Sequence, residues 1–241
     1  MERVELCPSC GKKKRYNNEL KGVFYCFYCG DGGRLEDRAA GHVLDRFSQP
    51  PPRPTEDAPE NIQPLSKFSV DYLIETRGIA AHLLARIPAY TVDTGIYFPF
   101  PGERYWQVRN WSSNAPPRWR MPAGLDGARS GVAYHVPMPG RARTVVLVEG
   151  VLDALKVASG GFAAAAMLSK RVHEAQLARL SERYDNAVLM LDADVSTGTC
   201  IHTQVLAAEY FPGSVRIASC GGWADPADVP VSRMQEVIRG R

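Results

Sequence analysis

From Thr144 onward the chain alternates short apolar runs with amphipathic stretches. Thr144-Val145-Val146-Leu147-Val148, Phe162 to Ala166, Ala187-Val188-Leu189-Met190-Leu191 and Val215 to Ala218 are nearly continuous in apolar residues. That pattern marks strands buried on both faces. Helices are predicted between them, over residues 151–159, 171–183 and 199–210. Strand–helix alternation implies a parallel sheet with right-handed crossovers. The region before it reads differently. Ile96 to Phe98, Tyr105 to Trp111 and Ala133 to Val136 are predicted as antiparallel strands. Ahead of them lie a helix over 70–77, capped by Ser69 and stopped by Gly78, and a second helix near 80–87.

Composition divides the chain further. Residues 1–45 hold Cys7, Cys10, Cys26 and Cys29, and residues 46–65 are rich in proline and acids. Such a segment has too few apolar residues to pack and is expected to act as a semi-rigid tether. Residues 66–143 form a basic subdomain and 144–241 the parallel-sheet domain. With 241 residues, 45% hydrophobic and 23% charged, the chain has the balance of an ordinary globular protein. Its longest apolar stretch, Gly160 to Leu168, is far short of the roughly 20 residues needed to span a bilayer. No signal peptide is visible, so a cytoplasmic protein without membrane contact is expected. No G-x-x-x-x-G-K-[ST] loop is present, which excludes a nucleotide-driven motor.

Three acidic clusters follow the predicted strands. Glu149 ends the first, with Asp153 one helical turn beyond it; Asp192-Ala193-Asp194 ends the third; Asp225-Pro226-Ala227-Asp228 follows the last. Ligands collect at the carboxyl ends of strands in open α/β sheets, and paired carboxylates there suit one or two divalent cations. Taken singly, Asp192 and Asp194 read as a turn, and Asp225 to Asp228 as a helix N-cap. Their joint occurrence favours a divalent-metal phosphate site. The cysteines form two C-x2-C pairs whose spacing fits a closed tetrahedral Zn²⁺ site, the alternatives being two disulfides or free thiols. Net charge is only +3, but the basic residues are clustered. Arg104, Arg109, Arg118 and Arg120 alternate with Trp106, Trp111 and Trp119, a pattern suited to phosphate contact and base stacking. The same stretch also reads as a half-buried strand with a solvated basic face. Lys170, in a loop after the second strand of the domain, is a further phosphate candidate.

Val148-Glu149-Gly150, Asp192-Ala193-Asp194 with Gly198 behind it, and Asp225-Pro226-Ala227-Asp228 resemble the Toprim domain of DnaG-type bacterial and phage DNA primases. Tyr72-Leu73-Ile74-Glu75-Thr76-Arg77-Gly78-Ile79 is similar to the segment that opens the primase polymerase core, and the order ribbon, tether, core matches as well. The resemblance implies a mixed α+β and α/β chain: a small zinc ribbon tethered to an RNA-polymerase core that ends in a Toprim sheet. It implies Glu149 as general acid/base or metal ligand, and Asp192, Asp194 and Asp228 or Asp225 as holders of Mg²⁺ or Mn²⁺. It further implies a single-stranded DNA template, NTPs, an RNA primer product and a separate replicative helicase. A recombination mediator, a Toprim nuclease and a non-catalytic DNA adaptor are the rival readings.

Overall fold

The computed structural model describes residues 58–111, 118–123, 127, 131–138, 140, 142–170 and 172–240, and the backbone of four N-terminal strands. Those strands are β1 (Glu2–Leu6), β2 (Lys13–Asn18), β3 (Val23–Cys26) and β4 (Gly32–Arg34). They pair antiparallel in sequence order. β1 stops immediately before the first cysteine pair, and β3 ends on the first cysteine of the second. Cys7, Cys10, Cys29 and the side chain of Cys26 lie outside the described residues, as does the tether up to residue 57.

The body begins with α1 (Lys67–Asp71), which loosens into a π-helical turn over Tyr72–Thr76. Its cap is Ser66, not the expected Ser69: Ser66 Oγ accepts the Ser69 N–H at 3.2 Å. Ser69 is buried, and its hydroxyl lies 2.6 Å from Thr91 Oγ1. After α2 (Ala81–Leu84) come β5 (Tyr90–Val92), β6 (Gly95–Pro99), β7 (Trp106–Asn110) and β8 (Trp119–Arg120). These four form an antiparallel sheet in sequence order. β5 and β8 escape the sequence reading because runs of three and two residues carry no period. Both faces of this sheet are covered. Val92, Tyr97, Trp106 and Val108 pack with Ala58, Ile62 and Tyr90 on one side, and Ile96 and Phe98 enter the main core on the other. Residues 58–65, polar enough to read as tether, are therefore part of the body. Gln63 exchanges backbone hydrogen bonds with Thr91 in both directions, at 2.9 and 2.8 Å.

The third sheet is assembled from β9 (Tyr134–Val136), β10 (Thr144–Val148), β11 (Ala163–Ala166), β12 (Asn186–Leu189) and β13 (Val215–Ile217). Its order is β13-β12-β10-β11-β9, parallel except for the edge strand β9. β9 thus hydrogen-bonds away from the antiparallel strands it follows in sequence. The interleaved helices are α3 (Val151–Ser159), α4 (Glu174–Ser181), α5 (Thr197–Ala208) and α6 (Val231–Arg239). α4 starts later than expected because Gln176 turns back to the His173 N–H at 3.1 Å. The buried Gln176 amide also donates to Val132 O at 2.6 Å and Met167 O at 2.8 Å, satisfying two interior carbonyls.

Alternate residues of the parallel strands feed two cores. Val145, Leu147, Ala163 and Ala165 meet Leu177, Leu180, Ala207 and Phe211 beneath α4 and α5. Val146, Val148, Ala164 and Ala166 meet Leu155 of α3, Met234 and Ile238 of α6, and Leu73, Ile79, Phe98 and Tyr134 from upstream. Each large aliphatic side chain fully buried there contributes about 1.5–3 kcal/mol. The consequence for function is a rigid sheet whose strand ends are held from both faces.

Candidate metal centre at the strand ends

The chain runs from β10 to β11 on one side and then returns to β12 on the other. The crevice between the carboxyl ends of β10 and β12 is therefore the topological switch point, where such sheets bind ligands. Glu149 leaves β10 there, and Asp192 leaves β12. Met190 N donates to Leu147 O at 2.9 Å and Ala193 N to Ala224 O at 2.8 Å, fixing the Asp192 turn on both sides. The result is a triad: Glu149, Asp192 and Asp194 each present a carboxylate oxygen, and these lie within 4.8 Å of one another.

The triad is electrostatically loaded. Burial, then the neighbouring Asp192 charge, holds the Glu149 carboxyl above the ordinary range. Burial, then Asp225 and Asp194, does the same to Asp192. One internal hydrogen bond, Asp192 N to Glu149 Oε1 at 3.4 Å, gives slight relief. Asp192 Oδ1 is buried and has no hydrogen-bond partner. Lys170 answers Asp194 across the crevice, Nζ to Oδ2 at 2.6 Å.

The other expected acids stand outside this triad. Asp153 turns its Oδ2 back to the Gly150 N–H at 2.9 Å and is also bonded by the Ala227 backbone, so it ties the β10–α3 turn to the Asp225 loop. Asp225 Oδ1 accepts the Asp228 N–H at 3.0 Å and caps the 3-10 turn Pro226–Asp228, as the motif taken alone suggests. The basic residues divide as well. Arg104 and Arg118 are exposed, and Arg120 is half-buried with Nη1 donating to Thr94 Oγ1 at 3.3 Å. Arg109 is buried, its guanidinium 5.5 Å from the Trp119 ring centre, and Trp106 is buried beneath β7. A strand covered on both faces has no solvated basic face, so neither Arg109 nor Trp106 is open to solvent.

Lys156 went unnoticed in the sequence. It is buried on α3, donates to Arg77 O at 3.0 Å, and feels the charges of Asp228 and Asp225. Gly78, at φ 62°, leaves the room: a Cβ there would sit 2.5 Å from Lys156 Nζ. A lysine among the mostly apolar residues that follow Asp153 on α3, Ala154 to Ala158, is the available signal.

Asp153 supplies a test of this electrostatic picture. Burial first, then repulsion from Asp225 and Asp192, pushes its carboxyl up from 3.8 to about 7. The folded state holds this proton more tightly than the unfolded chain. Stability is therefore greatest below the unfolded value and is lost as pH rises through about 7. Asp153→Asn keeps an acceptor for the Gly150 N–H and removes the charge. In metal-free protein at pH 8 it should add roughly 2–4 kcal/mol, and urea titrations between pH 4 and 8 should show a shallower loss than wild type. An equal slope would mean that Asp153 ionises without penalty.

No family model matches the sequence, and no curated protein matches it. Solved structures do. The Aquifex aeolicus primase, comprising zinc-binding and RNA polymerase domains, is similar over 99% of this chain and 78% of its own, at 15% identity and a TM-score of 0.55. A DnaG primase catalytic domain bound to single-stranded DNA is similar over 71% of this chain and 70% of its own, at 16% identity and a TM-score of 0.58. The primase fragment of the bacteriophage T7 primase-helicase protein matches 99% of this chain and 98% of its own, at 16% identity and a TM-score of 0.51. The protein is built on the mixed α/β fold of DnaG-type and phage primases.

Proposed function

We propose that this protein is a DNA primase, a DNA-directed RNA polymerase that builds short RNA primers on single-stranded DNA. The observation that carries this reading is the Glu149–Asp192–Asp194 triad at the switch point of a sheet within a primase fold. Its donors are all carboxylate oxygens, the set that hard divalent cations take. The orphaned Asp192 Oδ1 fits an oxygen waiting for a cation. Glu149, Asp192 and Asp194 would hold Mg²⁺ or Mn²⁺, which when bound supplies charge neutralisation to the NTP triphosphate and activation to the 3′-hydroxyl. Glu149, raised by burial and by Asp192, is suited to accept a proton from the attacking hydroxyl. Asp225 and Asp228 would act from across the crevice, with Asp153 fixing their loop. Lys170, Arg104, Arg118 and Arg120 would meet phosphates of the NTP and template.

The four cysteines would hold one structural Zn²⁺ in an N-terminal ribbon, a reading supported by their spacing and by β1 ending just before the first pair and β3 on the first cysteine of the second. Metal analysis of the purified full chain should give one equivalent of zinc, lost in the Cys26→Ser/Cys29→Ser double variant. Retention of zinc in that variant would refute the ligand set. The parallel sheet would be a Toprim domain. A replicative helicase on a separate chain is the expected partner, in the cytoplasm of a bacterium or phage-infected host. Among the described residues, no helix is long and apolar enough to cross a membrane.

One incubation tests the activity: full-length protein with single-stranded DNA, labelled NTPs and Mg²⁺ or Mn²⁺. Short RNA products are expected. Cut template would instead mark a nuclease, and neither product a mediator or adaptor.

A further inference from the structure

Lys170 occupies a position that a passive surface residue does not need. The turn that carries it is pinned to the first strand of the site. Met167 N donates to Val148 O and Leu168 N to Glu149 O, both at 2.8 Å. Leu168 itself sits at φ 63°, a left-handed conformation that a leucine side chain disfavours and that surrounding structure must hold. The outcome of this constraint is that the ammonium of Lys170 meets Asp194 Oδ2 at 2.6 Å, on one of the three carboxylates of the triad. Glu149 and Asp192 add their attraction. Both partners of the ion pair remain open to solvent, at 54% and 70% side-chain exposure. A contact of that kind is weak and exchangeable.

We propose that Lys170 is the resident counter-ion of the metal site: it occupies Asp194 in the metal-free protein, yields that carboxylate to the divalent cation, and then turns to the nucleotide triphosphate. This inference rests on the metal reading of the triad. Its chemistry is an exchange of partners with no covalent step. A carboxylate neutralised by an ammonium attracts a cation less than a bare one, so Lys170 lowers metal affinity while the nucleotide is absent. Once a triphosphate is present, the displaced ammonium gains a new anionic partner, and metal and nucleotide bind with positive coupling. Coupling of this kind is reciprocal, so each ligand must tighten the other by the same factor. The site thereby favours the metal–nucleotide pair over free metal.

Manganese binding to the full chain, measured by electron paramagnetic resonance, tests this without any turnover. Wild type, Lys170→Met and Asp192→Asn are compared, each with and without a non-hydrolysable ATP analogue. Lys170→Met should bind Mn²⁺ alone about two- to five-fold more tightly than wild type, the range expected for losing one exposed competing ion pair. The same variant should lose most of the mutual tightening between Mn²⁺ and the analogue. Unchanged or weaker Mn²⁺ affinity in Lys170→Met would overturn the counter-ion role while leaving the metal site standing. If Asp192→Asn binds Mn²⁺ as wild type does, the metal reading fails and takes this inference with it. Lys170 is largely exposed, so the substitution leaves the core untouched.

Discussion

Primer synthesis on single-stranded DNA is expected to fall by about 10³-fold or more when Asp192 or Asp194 is replaced by alanine. A bound divalent cation supplies several kcal/mol of charge stabilisation to phosphoryl transfer, and each 1.36 kcal/mol is worth tenfold in rate. Glu149→Ala should lose a comparable factor, because it removes a ligand and the nearest proton acceptor together. The fold should survive all three changes. Burial, then the charges of Asp225 and Asp194, disfavours the ionised Asp192 carboxylate, so its removal relieves that penalty in the metal-free protein. Asp194→Ala forfeits only the exposed contact with Lys170, worth at most about 1 kcal/mol. Primer assays paired with thermal melts decide the matter. Lost activity with an unchanged or raised melting temperature supports a catalytic role. A collapsed transition would make the acids structural.

Removal of residues 1–57 is expected to separate initiation from extension. Lys12, Lys13, Lys14 and Arg15, with Tyr16, Tyr25 and Tyr28, give the N-terminal segment both phosphate-binding and stacking groups. Two base-specific contacts at about 1–3 kcal/mol each would make de novo synthesis at preferred template sites fall about a hundredfold. Extension of a preformed primer should stay within several-fold of the full chain. The cut must fall at 57 and not at 64, because Ala58 and Ile62 cover one face of the antiparallel sheet and Gln63 pairs with Thr91. A truncated protein that starts at the same template positions as the full chain would refute this division.

What the amino-acid order disclosed depended on how local the physics is. The runs ending at Val148 and Leu191 are buried on both faces, so they announce parallel strands, and the acids beyond them are placed almost automatically. On β7, Gln107 and Arg109 alternate with Trp106 and Val108 as in a strand with one wet face, whereas packing covers both faces. The sheet that β9 joins is decided by β11, whose alanines leave room for Tyr134 and Val136 to pair across. No local signal encodes that choice. α6 carries one, since Met234 and Ile238, its two buried residues, lie four apart. Ser66 and Ser69 are equal as caps on paper; the bond from Ser69 to Thr91 separates them. The burial of Lys156 depends on Gly78, a distant residue in the chain.

The core shared by Leu73, Ile79, Phe98, Tyr134, Val146, Leu155 and Ile238 bears on how such a chain can be recombined. One face of the parallel sheet is completed by side chains from residues 73–136, so the core on that face is not closed by residues 144–240 alone. A graft of residues 144–240 onto a foreign neighbour would expose Val148, Leu155 and Ala166 unless that neighbour brought matching aromatic and aliphatic partners. Residues 66–143 and 144–240 are therefore coupled through one shared core, and an exchange that keeps the fold must carry both together.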